Sequence, residues 1–359
     1  MTVGSLLAHL PWPGRHVKVT QKIFLMEQMQ VMTKAGVPLT AILKTLQEQA
    51  TTKRLKTVLT DIMGRIEKGQ SLSEAMRPYS DDFGDLMVNM IAAGEASGRL
   101  EEVFGQIYLQ VKKDHEIVAR VRGALIYPAI VVVAMVAIGT GMIVFIIPKL
   151  TDIFKEAKVD LPLPTRILMA VSDALVNHGL LAATLAIAVT ALFFWSIHQP
   201  RGRYAWHWLL LKLPIVGSIV RQVNLARFAR TVSSFLKTDI PIVKTLSTTA
   251  HVLGNALYQQ ALTEAAQRIT KGTTLKTVLS AYPLLFNPTI LAMVEVGEQS
   301  GSLDDILTEA ANFYEDEVTQ TMTTLPTLIE PILMIILGVG VGSMAVAIIM
   351  PLYSLTQAI

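Results

Sequence analysis

The acidic residues with the most distinctive surroundings are Glu95 and Glu298, each in a Gly-Glu-x-Ser-Gly segment. Each segment lies between two apolar runs, which indicates a connection between helices whose glycines adopt left-handed backbone dihedrals. The two carboxylates belong either to the chemistry of these turns or to a recognition surface, because partners often dock on exposed connections. The sequence leaves both interpretations open.

A third acidic residue, Glu330, stands directly before Pro331 at the edge of a long apolar run. An acid beside hydrocarbon is costly and is a candidate functional group by default. Glu330 either contacts a partner helix or a basic side chain, or it is a simple interfacial carboxylate. Pro331, like Pro128 in an earlier apolar run, removes a backbone donor, which fits a first helical turn or a kink.

Residue combinations that support catalysis are missing from this sequence. The absence of cysteine excludes disulfides, thiol catalysis and cysteine-held metal clusters. The seven histidines do not have the spacing of metal ligands. The segment from Gly64 to Gly69 resembles a phosphate loop only superficially, since Gln70 stands in place of the lysine and no strand precedes it. We predict a protein that is not an enzyme and that uses no cofactor or metal.

The two Gly-Glu-x-Ser-Gly segments belong to a longer internal repeat. Gly94 and Gly297 are 297 − 94 = 203 residues apart, and the same offset joins many identical residues without a gap. Two stretches therefore descend from one duplicated unit, Leu25 to about Pro148 and Phe228 to about Pro351, and each copy ends in a long apolar run. Other matching pairs are Pro38 and Pro241, Tyr79 and Tyr282, Met90 and Met293, and Pro128 and Pro331.

The composition favours an integral membrane protein, because 52% of the residues are hydrophobic and only 16% are charged. Crossing the hydrocarbon of a lipid bilayer takes about 18 or more mostly apolar residues. Three segments meet this criterion: Leu125 to Ile147, Gly179 to Ile197, and Thr327 to Met350. We interpret all three as membrane spans.

The second span belongs to neither copy and brings both helical parts onto one membrane face. Lysine and arginine are more frequent beside these parts than in the loop after the first span, which favours a cytoplasmic location. The first twenty residues lack the continuous apolar core of a signal peptide. The predicted order is an N-terminal segment (1–20), a first cytoplasmic helical domain (21–122), a first span (123–148), a periplasmic loop (149–178), a second span (179–198), a cytoplasmic linker and second helical domain (199–326), a third span (327–351) and a periplasmic tail (352–359).

The helical parts show apolar residues at three- to four-residue spacing and no two-residue alternation of the kind found in strands. Gly36 and Pro38 break the first such run, and Ser71 to Glu74 has the form of a capping box at a helix start. We therefore predict an all-α protein with two homologous helical bundles and three transmembrane helices.

Small residues in the spans predict close helix packing. Gly338 and Gly342 lie four residues apart, with Gly340 between them, and such spacing lets membrane helices approach within or between protomers. Aromatic and basic residues after the second span could suggest a nucleic-acid surface, but their position is typical of the aromatic belt at a membrane interface. We predict no nucleic-acid partner.

Several short motifs stand out beside the repeat: the Gly-Glu-x-Ser-Gly-x-Leu turns, Leu213 to Gly217, Ala226 to Thr231, Glu330 and Pro331 with Gly338 and Gly342, and Met350 to Leu352. Together these features resemble a known family, the inner-membrane platform proteins of type II secretion systems and type IV pili. The resemblance covers nearly the whole chain beyond about residue 20. Asp239 departs from the pattern, because it replaces the glycine expected before the Ile-Pro pair of the second copy.

The resemblance implies a non-enzymatic platform in the bacterial inner membrane. Such proteins bind cytoplasmic hexameric ATPases, contact pilin or pseudopilin subunits and other inner-membrane assembly proteins, and form homo-oligomers. The short N-terminal extension is similar to that of type IVb or conjugative thin pili. The alternative is a small-solute transporter built from parallel repeats, which requires a polar cavity at mid-membrane, yet the predicted spans contain few polar groups.

Overall fold

The computed structural model describes residues 16–149 and 163–357. Every regular element in these two ranges is helical, which confirms the all-α prediction. The helices are α1 (Val19–Lys34), α2 (Leu39–Glu48), α3 (Lys53–Glu67), α4 (Leu72–Met76), α5 (Ser80–Phe83), α6 (Asp85–Ser97), α7 (Leu100–Gly141), α8 (Leu163–Asn177), α9 (Gly179–His198), α10 (Pro200–Lys212), α11 (Val216–Lys237), α12 (Ile242–Val252), α13 (Ala256–Ile269), α14 (Leu275–Leu279), α15 (Pro288–Ser300) and α16 (Leu303–Gln357).

The repeat is visible in the helix boundaries. When 203 is added to its residue numbers, α4 coincides with α14 and α6 coincides with α15, and α7 and α16 begin at matching leucines. Among the described residues, α5 of the first copy has no helical counterpart in the second copy. The duplication predicted from sequence therefore repeats the local structure almost helix by helix.

The helices form two compact units. The first contains residues up to Val118 together with His207–Val318, and the second contains Ala119–Trp206 and the chain from Thr319 onward. The first unit therefore holds both helical bundles, and the second holds the apolar helices.

Both copies contribute to the hydrophobic core of the first unit. Met26, Ile42 and Phe104 of the first copy are fully buried in a cluster that also includes Phe235 and Ile240 from the second copy. The second copy has an aromatic centre, where Phe286 makes edge-to-face contacts with Phe228 and Tyr258 at 5.4 and 5.5 Å between ring centroids.

Helix caps follow the local sequence closely. The Ser71 hydroxyl accepts from the Glu74 amide and the Glu74 carboxylate accepts from the Ser71 amide, which forms the predicted capping box at the start of α4. In the second copy Thr274 keeps the cap, since its hydroxyl accepts from the Thr277 amide. Thr277 stands at the position equivalent to Glu74, so the second copy lacks the acid of the capping box.

Three helical stretches are long and apolar enough to cross a membrane: Leu100–Lys149, which is α7 continued through a π-helical segment (Met142–Ile146), Gly179–His198 and Leu303–Ala347. They contain the first two predicted spans and all of the third except residues 348–350. In the second unit the Thr165 hydroxyl donates to the carbonyl of Ala347 at 2.9 Å, and the Ser172 hydroxyl donates to that of Ile143 at 2.7 Å. These bonds connect α8, which lies in the segment predicted as a periplasmic loop, to both repeat-derived spans.

Parts of three predicted segments lie outside the described residues: most of the N-terminal segment, the first part of the loop after the first span, and the end of the tail. The sides of the membrane assigned to each segment stay predictions. One further pair, α10 and α11, passes the span criterion only when joined across a bend of 108°. Because α11 buries Phe228, Val232 and Phe235 in the first unit, we count three spans.

Candidate partner-contact sites

Glu95 and Glu298 have the same structural role in the two copies. The Glu95 carboxylate, near the end of α6, accepts from the backbone amides of Leu72 and Ser73 at 2.5 and 3.1 Å and from the Ser73 hydroxyl at 2.5 Å. Glu298 accepts from the amides of Leu275 and Lys276 at 2.6 and 2.9 Å. Each carboxylate thus satisfies amides in the first turn of a neighbouring short helix, where negative charge is favoured.

The other residues of this segment also have defined roles. Gly98 and Gly301 end α6 and α15 in the left-handed conformation, with φ of 71° each, as predicted. The prediction is wrong for the first glycine of each segment, because Gly94 and Gly297 lie inside α6 and α15 and do not have positive φ. Gly94 is required by close packing, because an added Cβ would lie 2.8 Å from the Val103 side chain. The Ser97 hydroxyl donates to the carbonyl of Ala93 at 2.8 Å. The turn residues thus build the connection itself, while Glu95 and Glu298 are half-buried.

Glu330 lies in a different environment. It is exposed on α16 and forms neither a hydrogen bond nor an ion pair with any residue that the structure describes. Its two candidate roles therefore both remain compatible with the structure of a single chain. A partner for this carboxylate would have to be a residue outside the described part of the chain, a residue of another chain, a lipid head group or water.

Pro128 and Pro331 lie inside the continuous helices α7 and α16 and not in their first turns. The structure therefore excludes one of the two interpretations of these prolines. An interior proline leaves the carbonyl four residues earlier without its helical donor, which weakens the helix locally. Pro128 is buried and Pro331 is exposed, so the two copies differ at this position too.

The glycines of the third span have no neighbour within the described part of the chain. A Cβ added at Gly338, Gly340 or Gly342 would meet no heavy atom within 4 Å. Packing against this glycine face therefore has to come from outside the described part of the chain. A groove of about 620 Å³ along the first span is lined by apolar side chains with Thr140 and Gly141, which does not suit transport of a polar solute.

A buried polar contact that the sequence did not reveal joins the two copies inside the first unit. The Gln110 side chain on α7 donates to the Thr231 hydroxyl at 3.1 Å and accepts from the Ser234 hydroxyl at 3.4 Å. Arg227 on α11 donates to the Asp114 carboxylate at 2.5 Å. The faces of α7 and α11 are thus fixed against each other by directional bonds as well as by the shared core.

A buried ion pair lies next to this contact. The Arg230 guanidinium is 2.8 Å from the Glu315 carboxylate and donates to the Asn312 side chain at 2.6 Å, and Lys113 approaches Glu315 at 3.2 Å. Arg230 and Glu315 are both buried. The signal that could have found them is the difference between the copies, since the positions of Arg230 and Glu315 hold Glu27 and Lys112 in the first copy.

A cleft of about 470 Å³ opens between α11, α15 and α16 of the second copy. Tyr314 donates to the Asn287 side chain at 2.7 Å in its wall, and burial raises the pKa of this phenol above its usual value. Arg221 and Glu317 also line the cleft. Within the described ranges no group of three histidine, aspartate or glutamate side chains could hold a metal ion, so these groups offer hydrogen bonding and charge only.

The fold defines a class of protein with a duplicated helical domain and three apolar helices long enough to cross a membrane. The family model described as type II secretion system (T2SS), protein F, matches residues 25–148 and 228–351. These are the two copies of the repeat. The chain belongs to this family.

Curated relatives cover most of the chain. Type IV pilus assembly protein PilC of Thermus thermophilus is 31% identical over 98% of this chain and 90% of its own length. PilC of Myxococcus xanthus is 31% identical over 92% of this chain and 79% of its own length. Type II secretion system protein F of Pseudomonas aeruginosa is 30% identical over 92% of this chain and 82% of its own length.

Proposed function

We propose that this chain is the inner-membrane platform of a type IV pilus or type II secretion machine. In this role it couples a cytoplasmic hexameric ATPase to the extraction and polymerisation of pilin or pseudopilin subunits. The observation that carries the proposal is the similarity over nearly the whole chain to proteins named for pilus assembly and secretion. The match of both repeat copies to one family supports it.

The helices offer a physical route for such coupling. The last helix of each copy, α7 and α16, passes from the helical domain into an apolar segment without an intervening loop. The backbone hydrogen bonds of a helix resist stretching, so a displacement of the domain along the helix axis can reach the span even though Pro128 and Pro331 weaken one turn of each helix. We infer that the ATPase acts on the helical domains and that the pilin subunits contact the spans.

The two copies present different groups to these partners. The position of Glu330 holds Tyr127 in the first copy, and the position of Glu74 holds Thr277 in the second. We propose that the exposed carboxylate of Glu330 and the neighbouring face of Gly338 and Gly342 contact a pilin subunit within the bilayer. We place the ATPase on the helical domains near the turns that Glu95 and Glu298 stabilise.

Complementation of a host that lacks the gene tests this proposal. Loss of the chain should abolish surface filaments, and Glu330→Ala should reduce them strongly while the amount of protein in the membrane stays unchanged. Glu309→Ala, a change of another exposed acid on α16, is the matched control and should preserve filaments.

Two results would count against the proposal. Filaments that persist without the chain would overturn the platform function. A normal number of filaments in the Glu330→Ala variant would overturn only the proposed contact between Glu330 and a pilin subunit. Copurification of the full-length chain with the assembly ATPase of the same host tests the coupling separately, because the shared core makes isolated copies poor substitutes for the intact first unit.

A further inference from the structure

The contact between the two copies uses a different surface from each of them. The first copy contributes a face of α7 with Gln110 and Asp114, and the second contributes a face of α11 with Arg227, Thr231 and Ser234. Because the chain is duplicated, a second version of each face exists elsewhere in the molecule. We call these the α16 face, defined by Phe313 and Glu317, and the α1 face, defined by Phe24, Gln28 and Val31.

The correspondence follows from the repeat offset of 297 − 94 = 203. Phe313 and Glu317 on α16 occupy the positions equivalent to Gln110 and Asp114 on α7. Val31 on α1 occupies the position equivalent to Ser234 on α11. The helices themselves match, since α16 is the repeat of α7 and the second part of α11 is the repeat of α1. The two faces therefore have the backbone shape of a contact that the chain already makes internally.

The second versions expose large apolar side chains, whereas their polar members Gln28 and Glu317 are half-buried and Glu317 accepts from the Gln222 side chain at 3.1 Å. Gln110, Thr231 and Ser234 are buried in the internal contact. At the corresponding free positions, Val31 is 57% exposed and Phe313 is 44% exposed. Phe24, which replaces Arg227, is also 44% exposed. At the positions equivalent to Gln110 and Ser234, which the internal contact buries, large apolar side chains thus lie in solvent.

The charges of the two helices are complementary. Between Leu303 and Val318, α16 carries six acids and no basic residue, and only Glu315 among these six is buried. The α1 helix carries Lys22 and Lys34 against the single acid Glu27. Asp305 and Glu315 already pair with Lys237 and Arg230 within the chain, so the remaining four acids of α16 supply the charge that attracts the more basic α1 helix.

We propose that the α16 face of one chain docks onto the α1 face of a second copy of this chain and repeats the internal contact between α7 and α11. The equivalent of the Gln110 and Ser234 pair places Phe313 of one protomer against Val31 of the next. Such a contact is heterologous, because it joins two different faces, and it closes into a ring or extends as an open array. The proposal specifies the homo-oligomer surface and does not depend on which ATPase or pilin binds.

Single-cysteine crosslinking of the full-length chain in native membranes tests the contact, since the chain contains no cysteine of its own. Differently tagged V31C and F313C chains are expressed together and oxidised. They should form a disulfide-linked pair that carries both tags, whereas either variant expressed alone should stay uncrosslinked. The control pair K56C and Q267C places cysteines at exposed positions of α3 and α13 and should give no product.

A chain with both V31C and F313C should give a ladder of dimers and larger products, because every protomer then has both halves of the contact. Val31→Asp should lower the oligomer mass measured by light scattering in detergent, while Lys56→Glu should not. Both substitutions lie at exposed positions, and unchanged unfolding temperatures will show that the fold persists.

Four outcomes overturn the inference. The first three are no crosslink between V31C and F313C, an equal yield from the control pair, and crosslinking of V31C with itself, which would show a symmetric contact of α1 with α1. The fourth is a disulfide between V31C and a protein other than this chain, which would show a different occupant of the α1 face. Filament assays distinguish the proposals, because failed crosslinking with filaments that still depend on the chain leaves the platform function intact.

Discussion

The Arg99 guanidinium lies 2.6 Å from the Asp239 carboxylate and joins the α6–α7 turn of the first copy to the turn after α11 in the second. Asp239 adopts φ of 58°, in the left-handed region, and its repeat equivalent Gly36 adopts 74°. Aspartate is one of the few residues besides glycine that tolerates this conformation. Aspartate at this position therefore forms an ion pair between the copies that glycine could not form.

Asp239→Ala should destabilise the first unit by about 1 kcal/mol, because alanine keeps the left-handed strain and loses the ion pair. Asp239→Gly should be close to neutral, since relief of strain offsets loss of an exposed pair. Thermal unfolding of the purified chain in detergent compares the two variants. Equal destabilisation by both would show that the ion pair, and not the backbone, determines the effect.

Glu95→Ala should destabilise the first copy by about 1–2 kcal/mol, since it leaves the amides of Leu72 and Ser73 without their acceptor. Glu298→Ala should have a similar effect in the second copy. Gln299→Ala, at the exposed neighbouring position, is the control and should change stability little. If Glu95→Ala abolished filaments without lowering the unfolding temperature, the carboxylate would instead contact a partner.

Gly98→Ala and Gly301→Ala should each cost about 1 kcal/mol, because alanine is strained at φ of 71°. Gly64→Ala is a matched control inside α3, where an added Cβ meets nothing within 4 Å. That change should stabilise the chain by about 0.5–1 kcal/mol through helix propensity. Chemical denaturation should show a lower unfolding free energy for Gly98→Ala and Gly301→Ala and a higher one for Gly64→Ala. Stabilisation by Gly98→Ala would contradict the left-handed geometry.

Arg230→Met or Glu315→Leu should destabilise the first unit by about 3–5 kcal/mol, because each leaves a buried charged partner without its ion pair. The double variant Arg230→Met with Glu315→Leu should recover part of this loss, since it removes both charges together. A double-mutant cycle on unfolding free energies provides the measurement. Strictly additive losses would show that the two side chains do not interact.

Burial raises the pKa of the Tyr258 phenol above its ordinary value, and this hydroxyl donates to the carbonyl of Leu285 at 2.7 Å. The folded state therefore keeps a proton that the unfolded state loses above pH of about 10. Stability should fall as the pH rises through this range, by up to about 1.4 kcal/mol for each pH unit from this group. Tyr258→Phe should make the profile flatter between pH 9 and 11, as measured by denaturation at each pH, and an unchanged slope would contradict the assignment.

The local features of this protein follow from its sequence because they depend on residues close together in the chain. The period of apolar residues predicts the helices, and the runs of apolar residues predict three spans. The 203-residue offset predicts the repeat that helix boundaries and the family match confirm. The glycine at the end of α6 predicts a left-handed turn because few other residues adopt that conformation without strain.

The partners of these local elements were determined only by the tertiary structure. No spacing in the sequence indicates that Glu95 caps α4, or that Phe235 completes the core of the other copy. Phe24 and Arg227 occupy equivalent positions on equivalent helices, yet Phe24 is exposed and Arg227 donates to Asp114 across a contact. Periodicity establishes which face of a helix is apolar. What covers that face depends on residues far away in the chain, which come together only when the chain folds.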